Sequence, residues 1–185
     1  CRNTSSSRAI DDICAQNGVT CYGTAIGEVN VAVKMGEVGS VIGGEGNGGV
    51  MLTPLHIGRD ALVAVALVLQ LFAMEREKSP NIKISEIKGA LPQWRISKSK
   101  IDLPKTCPIQ ELINTWKQNI IKEYGDKVQL NEVDGLRIDH PDWWVHVRKS
   151  NTEPVIRVIG EGHTQEEADA VCKKVYDQFQ QLMKQ

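Results

Sequence analysis

Residues 43–49 read GGEGNGG, five glycines interrupted only by Glu45 and Asn47. Glycine in that density has a conformational cost, so the backbone must need positive φ or a close approach there. Ser40–Ile42 before it reads as the end of a buried strand, and Arg59–Glu75 after it reads as a helix. A strand, a glycine loop and a helix in that order belong to an α/β layer. The apolar run Ala61–Met74, broken only by Gln70, is shorter than the roughly 20 residues a bilayer requires and reads as a helix buried on all sides.

Two nucleotide readings of the loop fail. Gly44, Gly46 and Gly49 match G-x-G-x-x-G, but a dinucleotide site opens its helix at the last glycine, and here the helix begins about ten residues later. A Walker A loop ends in GK[ST], which the chain lacks. Glu45 would also repel a cradled phosphate. A carboxylate beside an amide suits a neutral polyol, since charge-assisted hydrogen bonds from hydroxyls are strong and Asn47 can donate and accept. A tight turn with a solvated Glu45 is the plainer alternative.

The 185 residues suit one large or two small domains. Twenty-two Lys and Arg balance 23 Asp and Glu, giving no electrostatic case for nucleic acid or an anionic membrane. Five cysteines without a CxxC pair read as reduced thiols of a cytoplasmic protein, mostly core filler, and not as a zinc site. No signal peptide is visible. Thr4 or Ser5–Ser7 is expected to cap a first helix through Ala9–Cys14, with Asp11 and Asp12 in its first turns; the abrupt start suggests a preceding strand cut away. A strand at Val19–Tyr22 and an amphipathic stretch carrying Val29, Val33 and Met35 follow. The boundary is expected within Ile84–Lys105, dividing residues 1–97 from 98–185. In the second part, a helix over Pro108–Tyr124 precedes strands at Leu136–Asp139, Trp143–Arg148 and Val155–Ile159. Thr164–Glu167 is a capping box opening a last helix with Ala168, Val171, Val175, Phe179 and Leu182 inward.

The turn within Val145–Gly162 concentrates donors. Arg148 brings a bidentate guanidinium, Ser150 and Thr152 hydroxyls, Asn151 an amide, and Arg157 returns a second guanidinium. That set points to a phosphate or sulfate site. Glu153 has the wrong sign for one unless an arginine pairs with it, and a merely solvated turn is the alternative.

Gly44–Gly49 and Arg148–Pro154 together resemble two signature loops of the α-D-phosphohexomutases: phosphoglucomutases, phosphomannomutases and phosphoglucosamine mutases. Thr24–Val31 resembles another active-site loop of that family's third domain. The resemblance implies a partial α/β domain with a mixed, mainly parallel sheet, lacking its N-terminal part. A small α+β domain (helix, antiparallel sheet, helix; TBP-like) would follow, the two being domains three and four. It implies that Glu45, Asn47, Gly48 and Glu28 contact the sugar, and that Arg148, Ser150, Asn151, Thr152 and Arg157 hold its phosphate. Gly49 stands where the family usually has His, which puts that contact in doubt, and relatives vary at Glu28. The family's phosphoserine motif and its aspartate cluster for Mg²⁺ are missing from the chain. The expectation is a catalytically inactive C-terminal portion of a longer mutase, whose other domains are its partners in the same polypeptide. That enzyme would use Mg²⁺ and a hexose bisphosphate intermediate. A free-standing phosphosugar-binding module and an interaction domain with incidental loops are the alternatives.

Overall fold

In this computed structural model, residues 1–104, 107–150 and 153–184 are described. They form two compact units, Cys1–Gln93 and Trp94–Gln185.

The first unit runs β1 (Arg2–Asn3), α1 (Ala9–Gln16), β2 (Gly23–Thr24), α2 (Glu28–Val38), β3 (Ile42–Glu45), β4 (Gly49–Leu52), α3 (Ala61–Lys78) and α4 (Ile84–Ala90). Its sheet has the order β2-β1-β3-β4; β1 pairs in parallel with both neighbours, and β3 and β4 are antiparallel. Successive crossovers from β1 to β2 and from β2 to β3 land on opposite sides of β1. That reversal leaves a crevice at the carboxyl ends of the strands, where open α/β sheets bind ligands.

Several local expectations shift. The strand expected at Val19–Tyr22 forms one residue beyond it, although Tyr22 O accepts from Arg2 N at 2.9 Å. Ser7 Oγ accepts from Ala9 N at 3.1 Å but the residue preceding α1 is Arg8, and Thr4 and Ser6 are buried in the β1–α1 turn. On α2 the buried pair is Val31 and Met35, whereas Val29 and Val33 face solvent. The cause is Gly43: a Cβ there would lie 2.4 Å from Met35 Sδ and 3.1 Å from Val31 Cγ1, so the missing side chain seats that stripe. Ser40–Val41 precede the strand, and Ile42 is half exposed. The helix α3 is capped by Asp60 Oδ1, which accepts from Leu62 N and Val63 N at 2.8 and 3.0 Å. It is not buried on all sides. Only Val63 is in the core, and Leu62 is 81% exposed, with Val65, Val68, Leu69 and Met74 each more than half exposed.

The second unit runs β5 (Arg95–Asp102), α5 (Ile109–Tyr124), β6 (Gln129–Asn131), β7 (Leu136–Asp139), β8 (Trp144–Lys149), β9 (Val155–Gly162) and α6 (Gln165–Leu182). Its antiparallel sheet has the order β5-β9-β8-β7-β6. One face carries Ile101, Leu136, Ile138, Val145, Val147, Ile156 and Val158, packed with Ile113, Trp116 and Ile120 of α5 and Cys172, Val175 and Phe179 of α6. The capping box forms: Thr164 Oγ1 accepts from Glu167 N at 3.2 Å, and Glu167 Oε2 from Thr164 N at 3.1 Å. Of the five free cysteines Cys172 is buried in the core of the second unit, Cys107 and Cys1 are partly buried against the two cores, and Cys14 and Cys21 are partly buried. Among the described residues no helix is long and apolar enough to cross a membrane.

Candidate functional site

The glycine stretch is a β-hairpin. Gly43, Gly44 and Glu45 are strand residues opposite Met51, Val50 and Gly49, and Gly46–Gly48 make the turn, closed by Gly48 N donating to Glu45 O at 3.1 Å. Gly48 has φ 99°, and a Cβ on Gly44 would sit 2.3 Å from Gly49 O. The backbone permits no larger residue at these two places.

Glu45 therefore does not lie on an exposed loop; it is 8% exposed. Its Oε1 accepts from Asn3 Nδ2 at 2.9 Å and from Gly27 N at 2.8 Å. Asn3 Oδ1 in turn accepts from Ser5 N and Ser6 Oγ at 3.1 and 2.9 Å. One carboxylate thus ties together the carboxyl ends of β1, β2 and β3. Asn47 is exposed at the turn tip, with Gly48 beside it.

Arg59, which sequence reasoning assigned only to a helix start, completes this cluster. Its backbone N and Nε donate to the two oxygens of Glu28 at 3.0 and 2.8 Å, and its Nη1 is 3.9 Å from Glu45 Oε2. The backbone hydrogen bond from Arg59, then the guanidinium, holds the Glu28 carboxyl below its ordinary value. A Cβ on Gly49 would lie 2.3 Å from Arg59 Cδ, so the arginine stem occupies the space of a residue-49 side chain. Glu28 and Arg59 thus share one surface, with the buried Glu45 carboxylate beside the guanidinium, a mix of acceptors and donors suited to hydroxyls.

In the second unit, Arg148 and Arg157 are paired residues on adjacent strands and share a face. Ser150, 3% exposed, donates its N–H to Val155 O at 2.9 Å, narrowing the strand ends into the turn. Asn151 and Thr152, assigned to phosphate by the resemblance, lie outside the described residues. Glu153 Oε2 is 3.6 Å from Arg157 Nη2, the pairing its sign demands. Asp134 Oδ2 stands 3.7 Å from Arg148 Nη1; the Asp-Gly turn signal at 134–135 was the one clue to it in the sequence.

Residues 1–91 match the description "Phosphoglucomutase/phosphomannomutase, alpha/beta/alpha domain III", and residues 110–178 match "Phosphoglucomutase/phosphomannomutase, C-terminal domain". The chain belongs to the phosphoglucomutase/phosphomannomutase family. It is 31% identical over 172 residues to a phosphoglucosamine/phosphogalactosamine mutase of Sulfurisphaera tokodaii, covering 92% of this chain and 36% of that protein. It is 32% identical over 163 residues to a phosphoglucomutase/phosphomannomutase of Thermococcus kodakarensis, covering 88% and 34%. The fold matches a phosphoglucomutase/phosphomannomutase family protein of Burkholderia thailandensis with a TM-score of 0.73 at 22% identity, covering 99% of this chain and 36% of that one. Parafusin, a phosphoglucomutase of Paramecium in its open form, matches at 0.73 and 17% identity over 96% and 36%. The chain thus spans about a third of the length of these relatives. Among its described residues no three His, Cys, Asp or Glu side chains converge to hold a metal ion, so the donors present do not fit the Mg²⁺ that the family implies.

Proposed function

We propose that this chain supplies sugar and phosphate recognition to a phosphohexomutase, which converts a hexose or hexosamine 6-phosphate to the 1-phosphate through a bisphosphate intermediate. The observation that carries this reading is the pairing of Arg148 with Arg157 beside the buried Ser150 at the β8–β9 turn. Two guanidiniums on one face, next to a turn rich in N–H and O–H donors, suit a phosphate dianion. In this reading Asn151 and Thr152 add neutral donors to the phosphate. In the first unit, Glu45 Oε2, Asn47, the Gly48 backbone and Glu28 meet sugar hydroxyls, with Arg59 as a donor among them.

The phosphoserine, the Mg²⁺ and the transfer step belong to the rest of a longer polypeptide working in the cytoplasm. This chain's own residues fix the far phosphate and present the hydroxyls in one orientation, lowering the entropy cost of the transfer made elsewhere. In that longer enzyme, Arg148→Ala should lower kcat/KM for hexose 6-phosphate roughly 10- to 150-fold, the loss of one charged hydrogen-bonding group. An unchanged kcat/KM would refute the assignment. The alternative of a free-standing binding module predicts that no longer polypeptide is needed for tight phosphosugar binding.

A further inference from the structure

From Lys98 on, every second residue of β5 is charged. Side chains alternate between the faces of a strand. Ile101 belongs to the core that α5 and α6 cover, so Ser97 and Ser99 share that face, and Lys98, Lys100 and Asp102 point to the other. Pairing then makes a row of cations. Lys100 stands opposite Arg157 on β9, and Arg157 stands opposite Arg148 on β8. Directly opposed like charges destabilise a sheet, and here two such pairs follow one another.

The two arginines have acids near them. Asp134 Oδ2 lies 3.7 Å from Arg148 Nη1, and Glu153 Oε2 lies 3.6 Å from Arg157 Nη2. Among the described residues the Lys100 ammonium has no ion pair and no hydrogen bond, not even with Asp102 two positions along. Lys98, Lys100, Arg157 and Glu153 line one depression of about 430 Å³ together with Val155 and Ile159. Three cations against one acid leave it positive. Glu153 and Val155 follow the β8–β9 turn directly, so the depression borders the phosphate site. Neighbouring strands lie about 4.8 Å apart, which separates the Cα atoms of Lys100 and Arg148 by about 10 Å. Two long side chains, one on each side of Arg157, can close that gap on a single anion.

We propose that Lys100 is a further binding residue of the anion site: from β5 it reaches past Arg157 toward the phosphate at the β8–β9 turn and supplies a positive charge that no described acid offsets. This role rests on the phosphate reading of Arg148. Sequence gave no sign of it, because the register between β5 and β9 is what brings Lys100 into line. Lysines on an edge strand also deter pairing with other strands, and that role alone would leave phosphate binding untouched.

The test titrates the 185-residue chain with inorganic phosphate in about 0.15 M salt, where charges more than about 8 Å apart are largely screened. Binding is read by NMR from the amide shifts of Arg148, Ser150 and Arg157. Lys100→Gln removes the charge and keeps most of the stem, and Lys100→Arg keeps the charge. Lys98→Gln removes an equal charge from the same depression, one pair further along, opposite Ile159, whose neighbour on β8 is the buried His146. The expected result is several-fold weaker binding in Lys100→Gln, with Lys98→Gln and Lys100→Arg within about twofold of the parent. The Lys100 side-chain signals should also move along the same titration curve as the Arg148 amide, and stay still in Arg148→Ala. Unchanged binding in Lys100→Gln would make the lysine an edge guard and overturn the proposal. Equal weakening by Lys98→Gln and Lys100→Gln would reduce it to a general field and overturn it as well. If phosphate leaves Arg148 unmoved in the parent chain, the phosphate reading itself falls, and the role of Lys100 with it.

Discussion

Removing the charge of Glu45 acts on three strand ends at once. Its Oε1 accepts from Asn3 and Gly27 in a buried setting, so Glu45→Gln gives up charge-assisted bonds with no water to replace them. The first unit should lose about 1–3 kcal/mol of stability by urea unfolding; no loss would mean that the carboxylate is not structural. His146 provides a second residue-scale outcome. Its folded pKa lies below the ordinary 6.5, so the unfolded chain takes up the proton first. Stability of the second unit should therefore fall as pH drops through and below 6.5. His146→Gln should flatten that slope even if it lowers stability overall. The groups around it, Asp134, Arg137 and Arg148, act in both directions and do not reverse the sign set by burial.

At the scale of elements, Arg59 couples the start of α3 to the start of α2. Arg59→Ala keeps the backbone hydrogen bond, the largest influence, and removes the guanidinium, so it should raise the Glu28 carboxyl part of the way toward its ordinary 4.5, read by NMR titration; a Glu28 that does not move would show that the guanidinium does not help to lower it. Gly49→Ala should produce part of the same rise, because its Cβ displaces the Arg59 stem. Which elements could be read from sequence follows from how local their causes are. The capping box of α6, the helix α5 and the strands β8 and β9 are written in adjacent residues, and they were legible. The strand β5 was not: its RISKSKID alternates few apolar residues, and it forms because β9 offers an edge from Arg95 to Asp102. The true α2 stripe depends on the void at Gly43, and the burial of Glu45 on Asn3, 42 positions away. The composition of their loops pointed to Glu45, Arg148 and Arg157, and the family resemblance to Glu28. Their partners Arg59, Asp134 and His146 come from other elements and needed the fold.

At the scale of the molecule, the chain is about a third the length of its relatives, and an apolar helix lies open on the first unit. Leu62, Val65, Val68, Leu69 and Met74 should bind a hydrophobic dye and drive self-association that rises with salt. A dye-negative monomer at high concentration would contradict that exposure. Alone, the chain should not interconvert hexose 1- and 6-phosphates in a coupled assay, with or without Mg²⁺. The central claim, that Arg148 and its turn hold a phosphate, is tested most directly by titrating the chain with inorganic phosphate and following its backbone amides by NMR. Binding should be weak, about millimolar, and should shift Arg148, Ser150 and Arg157 while leaving Gly44–Gly49 nearly unmoved. It should fade with added salt and vanish in Arg148→Ala, and Arg148→Lys should restore little because an ammonium cannot form the fork. Shifts confined to the glycine hairpin, or a Lys variant binding as well as the parent, would contradict the account.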